Sequence, residues 1–314
     1  MSIKGKGFHL LLKYRHLMEG KLRTEVIDEQ TSIEALRAKT EASAARLVKE
    51  IEGVEYIPAE FTDFYAEWIR IDGTSHDKVV LYFHGGGFVM GSARSHRNII
   101  AGFASRLGMD VLSFDYRLAP EHPAPAAVCD GAKIYGWLLE QGYAPEDIVF
   151  AGDSAGAGIA LATLLKIKDD GGILPAGCAV FSPCVDMTLS GASIRTKAKA
   201  DPCTPKGANE TYTKYYVGNG DPSHPYASPL FGDLAGLPPI MIQVGEDETL
   251  LDDSLRFAEK ASKAGVDVKI KVWKGMFHCF PLLAPMFDEA TQAMDETCLF
   301  IKEKLYGKMM QTKG

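Results

Sequence analysis

The chain has no run of about 20 apolar residues, the length a helix needs to cross a membrane. Its nearest approach, Leu10-Leu11-Leu12, is ended at once by Lys13. That stretch carries no signal-peptide pattern, and a cytoplasmic location is the expectation. The sequence also lacks an excess of basic residues. Its 34 Lys and Arg stand against 41 Asp and Glu, a net charge of -7, which argues against a nucleic-acid partner. The six cysteines (Cys129, Cys178, Cys184, Cys203, Cys279 and Cys298) are scattered, with no C-x-x-C pair. They read as small core side chains rather than as a disulfide framework or metal site, so no metal is expected. No internal repeat or low-complexity tract is visible.

What is present reads as one large α/β domain with an appended segment. Residues 1–52 read as helix, most clearly from Thr31 to Ile51, which is rich in Ala, Glu, Arg and Lys. The texture then changes. Six apolar runs predict strands at 79–83, 110–114, 148–151, 179–181, 240–244 and 268–272. Helical stretches lie between or after them, at about 95–107, 126–141, 155–168, 252–264 and 286–305. Near-continuous apolar strands alternating with helices indicate a parallel sheet covered on both faces, whose ligands bind beyond the carboxyl ends of the strands. Residues 186–236, punctuated by five prolines, read as an insertion with short helices, one near 207–217.

Two glycine-rich motifs fall at those strand ends. Gly152-Asp153-Ser154-Ala155-Gly156 joins a strand to a helical run. A chain turning that sharply strains the backbone at the serine and crowds out larger flanking side chains. The helix start behind Ser154 also aims backbone N–H groups at developing negative charge. Upstream, His84-Gly85-Gly86-Gly87-Phe88 follows another strand and lacks the G-K-[ST] ending of a phosphate loop. Two of its N–H groups, with that of Ala155, would cradle a carbonyl oxygen turning tetrahedral. His84 and Asp153 read as residues that order these turns. Phe88, Met90, Tyr215 and Tyr216 read either as pocket lining or as plain core.

Of eight histidines, His278 stands in a loop after the last strand, and the order Ser…acid…His suits a hydrolase sheet. The acid is ambiguous, because Glu246, Asp247, Glu248, Asp252 and Asp253 all follow the strand at 240–244. Asp252 and Asp253 suit the first turn of the next helix.

Six blocks in order carry a family resemblance: His84 to Phe88, Asp115 to Pro123, Gly152 to Gly156, Ala227 to Leu230, Leu237 to Pro239 and Gly275 to His278. From Val79 onward the chain resembles the bacterial hormone-sensitive-lipase-like esterases. The resemblance implies an α/β-hydrolase fold, a mostly parallel central sheet flanked by helices under a helical cap. It divides the chain into a cap segment, 1–52, and a catalytic domain, 53–314, whose 186–236 insertion adds to the cap. It further implies Ser154 as nucleophile, Gly86, Gly87 and Ala155 as oxyanion donors, and His278 as base. The family's Asp-x-Leu-x-Asp frame falls on Glu248 to Asp252, so Glu248 replaces the usual Asp, with Asp247 as rival. The implied activity is hydrolysis of small, short-acyl esters without a cofactor, and a homodimer is left open. An amidase or a lactonase would use the same residues. A non-catalytic receptor of the kind found among plant relatives is disfavoured because His278 is present.

Overall fold

The computed structural model describes residues 1–18, 25–47 and 51–307. Eight strands form one sheet in the order β1-β2-β4-β3-β5-β6-β7-β8. They are β1 (Val54–Pro58), β2 (Ala66–Ile71), β3 (Val79–Phe83), β4 (Asp110–Phe114), β5 (Ile148–Asp153), β6 (Gly177–Phe181), β7 (Ile240–Gly245) and β8 (Val268–Trp273). From β4 to β8 all neighbours are parallel, while β1 and β2 join the edge antiparallel. The six predicted strands are all present, and β1 and β2 are additional. Both carry charged residues, so neither makes the continuous apolar run that marks a central strand.

The period-two alternation of the strands feeds two cores. On one face Leu81 and Phe83 pack with Phe150 and Val180. Against them lie α5 (Ala126–Glu140), α6 (Ser154–Asp169) and α9 (Leu251–Lys263). On the other face Val80, Tyr82, Val149 and Phe181 meet α4 (Arg97–Leu107) and α10 (Asp288–Tyr306). Each fully buried Leu, Val or Phe contributes about 1.5–3 kcal/mol, so this double burial dominates folding.

The amino-terminal region is not the continuous helix its composition suggests. It holds α1 (Ile3–Lys13), the single turn α2 (Arg15–Met18) and α3 (Ile33–Leu47). Between α2 and α3, residues 25–32 are irregular. There Ile27 is buried, and its N–H donates to the Lys206 carbonyl at 2.9 Å. Asp28 accepts from the Gln30 N–H, and Ser32 accepts from the Ala35 N–H, closing a turn and capping α3. These local side-chain bonds compete with helix. Between residues 186 and 236 lie α7 (Ser193–Thr196) and α8 (Ala208–Val217).

Helix α6 crosses the sheet so closely that Gly156 has no room for a side chain. A Cβ there would collide with the Phe83 and His84 carbonyl oxygens. Gly156→Ala should therefore cost about 3 kcal/mol and lower the thermal midpoint by roughly 5–10 °C. A wild-type melting curve would contradict this reading of the crossing.

Candidate active site

At the carboxyl end of β5 the chain enters α6 through Ser154, whose φ is +53°. That left-handed conformation is costly for a non-glycine residue and presents the side chain at the apex of the turn. The three groups named from sequence meet here. The Ser154 hydroxyl lies 2.9 Å from His278 Nε2. On the far side of the ring, His278 Nδ1 faces Glu248 Oε1 at 3.4 Å, longer than a strong bond between these groups. Glu248 is fully buried. Its other oxygen, Oε2, accepts from the Ser182 hydroxyl at 2.8 Å and from the Gly245 N–H at 2.7 Å, so the carboxylate is held from both sides.

Asp247 points elsewhere. Its carboxylate pairs with Lys197 at 3.1 Å. Glu246 accepts from the Gly275 N–H. Asp252 and Asp253 do lie in the first turn of α9, but they also tie down a loop. The Ser193 N–H donates to Asp252, and those of Val185 and Asp186 donate to Asp253. Burial pushes the Asp253 carboxyl up to about 7.

The glycine turn folds over the same spot. Gly86 and Gly87 have φ of +126° and +60°. A Cβ on Gly87 would run into the ring of Tyr212, so only glycine fits both the turn and its neighbour. Among the described residues, the N–H groups of Gly86, Gly87 and Ala155 have no protein acceptor. They line the same cavity as Ser154 and His278, and free donors there can receive an oxyanion. Asp153 braces this turn from below, accepting from the Gly85 N–H at 3.1 Å and the Tyr82 hydroxyl at 2.9 Å. His84 stacks on Tyr116 with ring centroids 4.2 Å apart, and its Nδ1 contacts the Gly85 carbonyl oxygen at 2.8 Å. Burial lowers His84 to about 3. It is thus a neutral hydrogen-bonding residue, as the sequence suggested.

Four residues near the site escaped the sequence reading of function. Ser182, at the end of β6, has φ +49°. Its hydroxyl links Glu248 to the Cys279 N–H, from which it accepts at 3.0 Å. The Cys279 thiol lies 3.4 Å from His278 Nε2. Arg37, on α3, donates to the Val89 and Ala119 carbonyls and pairs with Glu121, clamping the amino-terminal region to the glycine turn. Tyr212 lines the cavity, whereas Tyr215 and Tyr216 are absent from its walls. Tyr216 instead stacks on Phe88 at 3.8 Å. Of the five positive-φ non-glycine residues among those described, Phe88, Ser154, Ser182 and Cys279 all stand at this site. Strain of that kind gathers where geometry is over-determined.

The cavity holds about 470 Å³. Leu36 and Thr40 of α3 and Asn209 and Tyr212 of α8 line it opposite Ser154 and His278. Among the described residues no cluster of His, Cys, Asp and Glu could hold a metal. None of their helices is long and apolar enough to cross a membrane.

Burial disfavours the charged form of His278, but Cys279 and Glu248 beside it outweigh this and hold its pKa well above the ordinary histidine range. The Cys279 thiol, itself pushed up to about 11 by burial, is neutral near pH 7, so the carboxylate supplies the charge. Only neutral imidazole can take the Ser154 proton. The acid limb of kcat/KM against pH should therefore have its midpoint above 6.5. In Glu248→Gln it should move down, since the carboxylate charge and its contact with Nδ1 are lost while burial remains. A wild-type midpoint at or below 6.5 would contradict this electrostatic reading.

Known proteins resemble this chain over most of its length. The α/β-hydrolase-fold family pattern matches residues 80–282. An esterase of Acinetobacter venetianus is 39% identical over 256 residues, 81% of this chain and 84% of that one. An acetyl-hydrolase of Streptomyces hygroscopicus is 39% identical over 237 residues, 76% and 79% of the two chains. Among solved structures, EstE5 soaked with p-nitrophenyl butyrate superposes with a TM-score of 0.87 at 36% identity, covering 97% of this chain and 99% of that one. An esterase of the bacterial hormone-sensitive lipase family has the same TM-score and coverages at 35% identity. The chain belongs to the α/β-hydrolase fold family, among its bacterial hormone-sensitive-lipase-like esterases, and is a serine carboxylesterase.

Proposed function

We propose that the chain hydrolyses small, short-acyl esters in two steps, with Ser154, His278 and Glu248 as its triad. The approach of His278 Nε2 to the Ser154 hydroxyl, with Nδ1 turned to a buried carboxylate, carries this reading. His278 takes the hydroxyl proton as Ser154 Oγ attacks the ester carbonyl. Negative charge develops on the carbonyl oxygen and is received by the N–H groups of Gly86, Gly87 and Ala155. His278 then passes its proton to the leaving alcohol. Water, deprotonated by the same imidazole, frees the acid from Ser154. Glu248 keeps the Nδ1 proton in place and offsets the positive charge on the ring.

The amino-terminal segment and the 186–236 insertion together form the cap over the acyl pocket. What supports a short acyl chain is the Tyr212 ring, which stands against Gly87 in the wall of the cavity that holds Ser154. With p-nitrophenyl esters of graded length, kcat/KM should be highest near the butyrate and at least tenfold lower at the decanoate. A rise toward long chains would overturn the size assignment. Faster turnover of matched amides or lactones would overturn the choice of ester.

A further inference from the structure

The first 18 residues carry Lys4, Lys6, Lys13 and Arg15 and no Asp or Glu, in a chain whose net charge is -7. They also hold an unusual share of the exposed large apolar side chains. Ile3 is 90% exposed, Leu10 55%, Leu11 47%, Tyr14 50% and Leu17 55%. The other exposed apolar residues among those described are mostly scattered over separate elements.

At about 100° per residue, Ile3, Leu10 and Leu11 share one stripe of α1, and Tyr14 and Leu17 continue it. The stripe spans roughly 120° of the helix surface. Lys6 and Lys13 fall on one border and Lys4 on the other, while Arg15, past the end of α1, is tied to the Pro202 carbonyl. The opposite side is already used. Phe8 packs on Phe287 with ring centroids 5.4 Å apart, and His9 reaches the Ala200 and Gly275 carbonyls. The stripe is therefore not a misplaced core face. It is a second apolar surface on a helix already docked through its first.

We propose that this face of α1 docks the protein on an anionic lipid surface. An apolar stripe bordered on both sides by cations is the pattern of a helix lying in a membrane interface. There the side chains enter the acyl boundary and the cations reach the headgroups. A second copy of this chain would bring its own cations against these, so the charge pattern disfavours self-association through the stripe. The contact would also sit next to the substrate cavity. His9 and Arg15 hydrogen-bond the carbonyls of Ala200 and Pro202, and the neighbouring Cys203, Thr204 and Pro205 line that cavity.

Flotation of the full chain with vesicles tests this, using phosphatidylcholine alone or mixed with phosphatidylglycerol. Partition onto the anionic vesicles should be at least tenfold stronger and should vanish in about 0.5 M salt. Leu10→Ser with Leu11→Ser should abolish it. Lys6→Glu with Lys13→Glu should weaken it by more than tenfold, at about fivefold for each cation removed and more for reversed charge. Both double variants should hydrolyse dissolved p-nitrophenyl butyrate at the wild-type rate, which separates docking from catalysis. Equal partition to both vesicle types, no partition, or variants that bind like wild type would overturn the proposal. So would a vesicle-free dimer that the leucine substitutions dissociate, which would assign the face to a second copy.

Discussion

Replacing Ser154 by Ala should lower kcat for p-nitrophenyl butyrate by roughly 10⁶ while leaving the thermal midpoint within a few degrees of wild type. The size of the effect follows from what the hydroxyl does. The Oγ lies 2.9 Å from His278 Nε2 and is the only atom of Ser154 that the proposed chemistry consumes. Removing it leaves the free N–H donors and the cavity, which together still accelerate attack by water about 10³–10⁴-fold. The fold should survive, since α6 is held by its buried apolar residues rather than by this side chain. The left-handed φ at position 154 is strained for Ala as well as for Ser. A drop of only tenfold would mean that another group carries the attack.

Glu248→Gln should cost about 10⁴ in kcat, and Asp247→Asn less than tenfold. Glutamine fills the same volume and can still accept from Ser182 and Gly245. However, it removes the charge that offsets imidazolium, and its NH₂ can turn toward Nδ1 and favour the wrong tautomer. Asp247 pairs with Lys197, so its loss removes a partly exposed ion pair worth little. Reversal of this order would move the acid to Asp247. The pair is informative because the two carboxylates are adjacent in sequence yet point into different surroundings.

That divergence marks where the sequence is legible and where it is not. The turns at Gly152 to Gly156 and His84 to Phe88 are local matters, since strand, turn and helix lie within a few residues and only glycine meets their backbone demands. Glu248 could be named only by laying a family frame on five candidate carboxylates, because nothing local separates it from Asp247. Burial and the Ser182 hydroxyl make the difference, and both come from distant segments.

Ser182 itself was findable in principle, as a polar residue closing a predicted parallel strand at its carboxyl end. Cys279 was not. Its thiol meets His278 only because a left-handed φ turns it back on the ring. The tyrosines of α8 fail for another reason. Position along a helix does not tell which face meets the cavity until the helix is docked, and docking selects Tyr212 over Tyr215 and Tyr216. The edge strand β1 and its neighbour β2 were missed because charged residues interrupt their apolar runs, even where, as at Glu67, the side chain is buried.

The most direct test of Ser154 as nucleophile is mass spectrometry after inactivation with diethyl p-nitrophenyl phosphate. One diethylphosphoryl group per chain on the peptide containing Ser154, appearing in step with loss of activity and absent from His278→Ala, is the expected result. A modified residue elsewhere, or full inactivation with Ser154 unmodified, would contradict it.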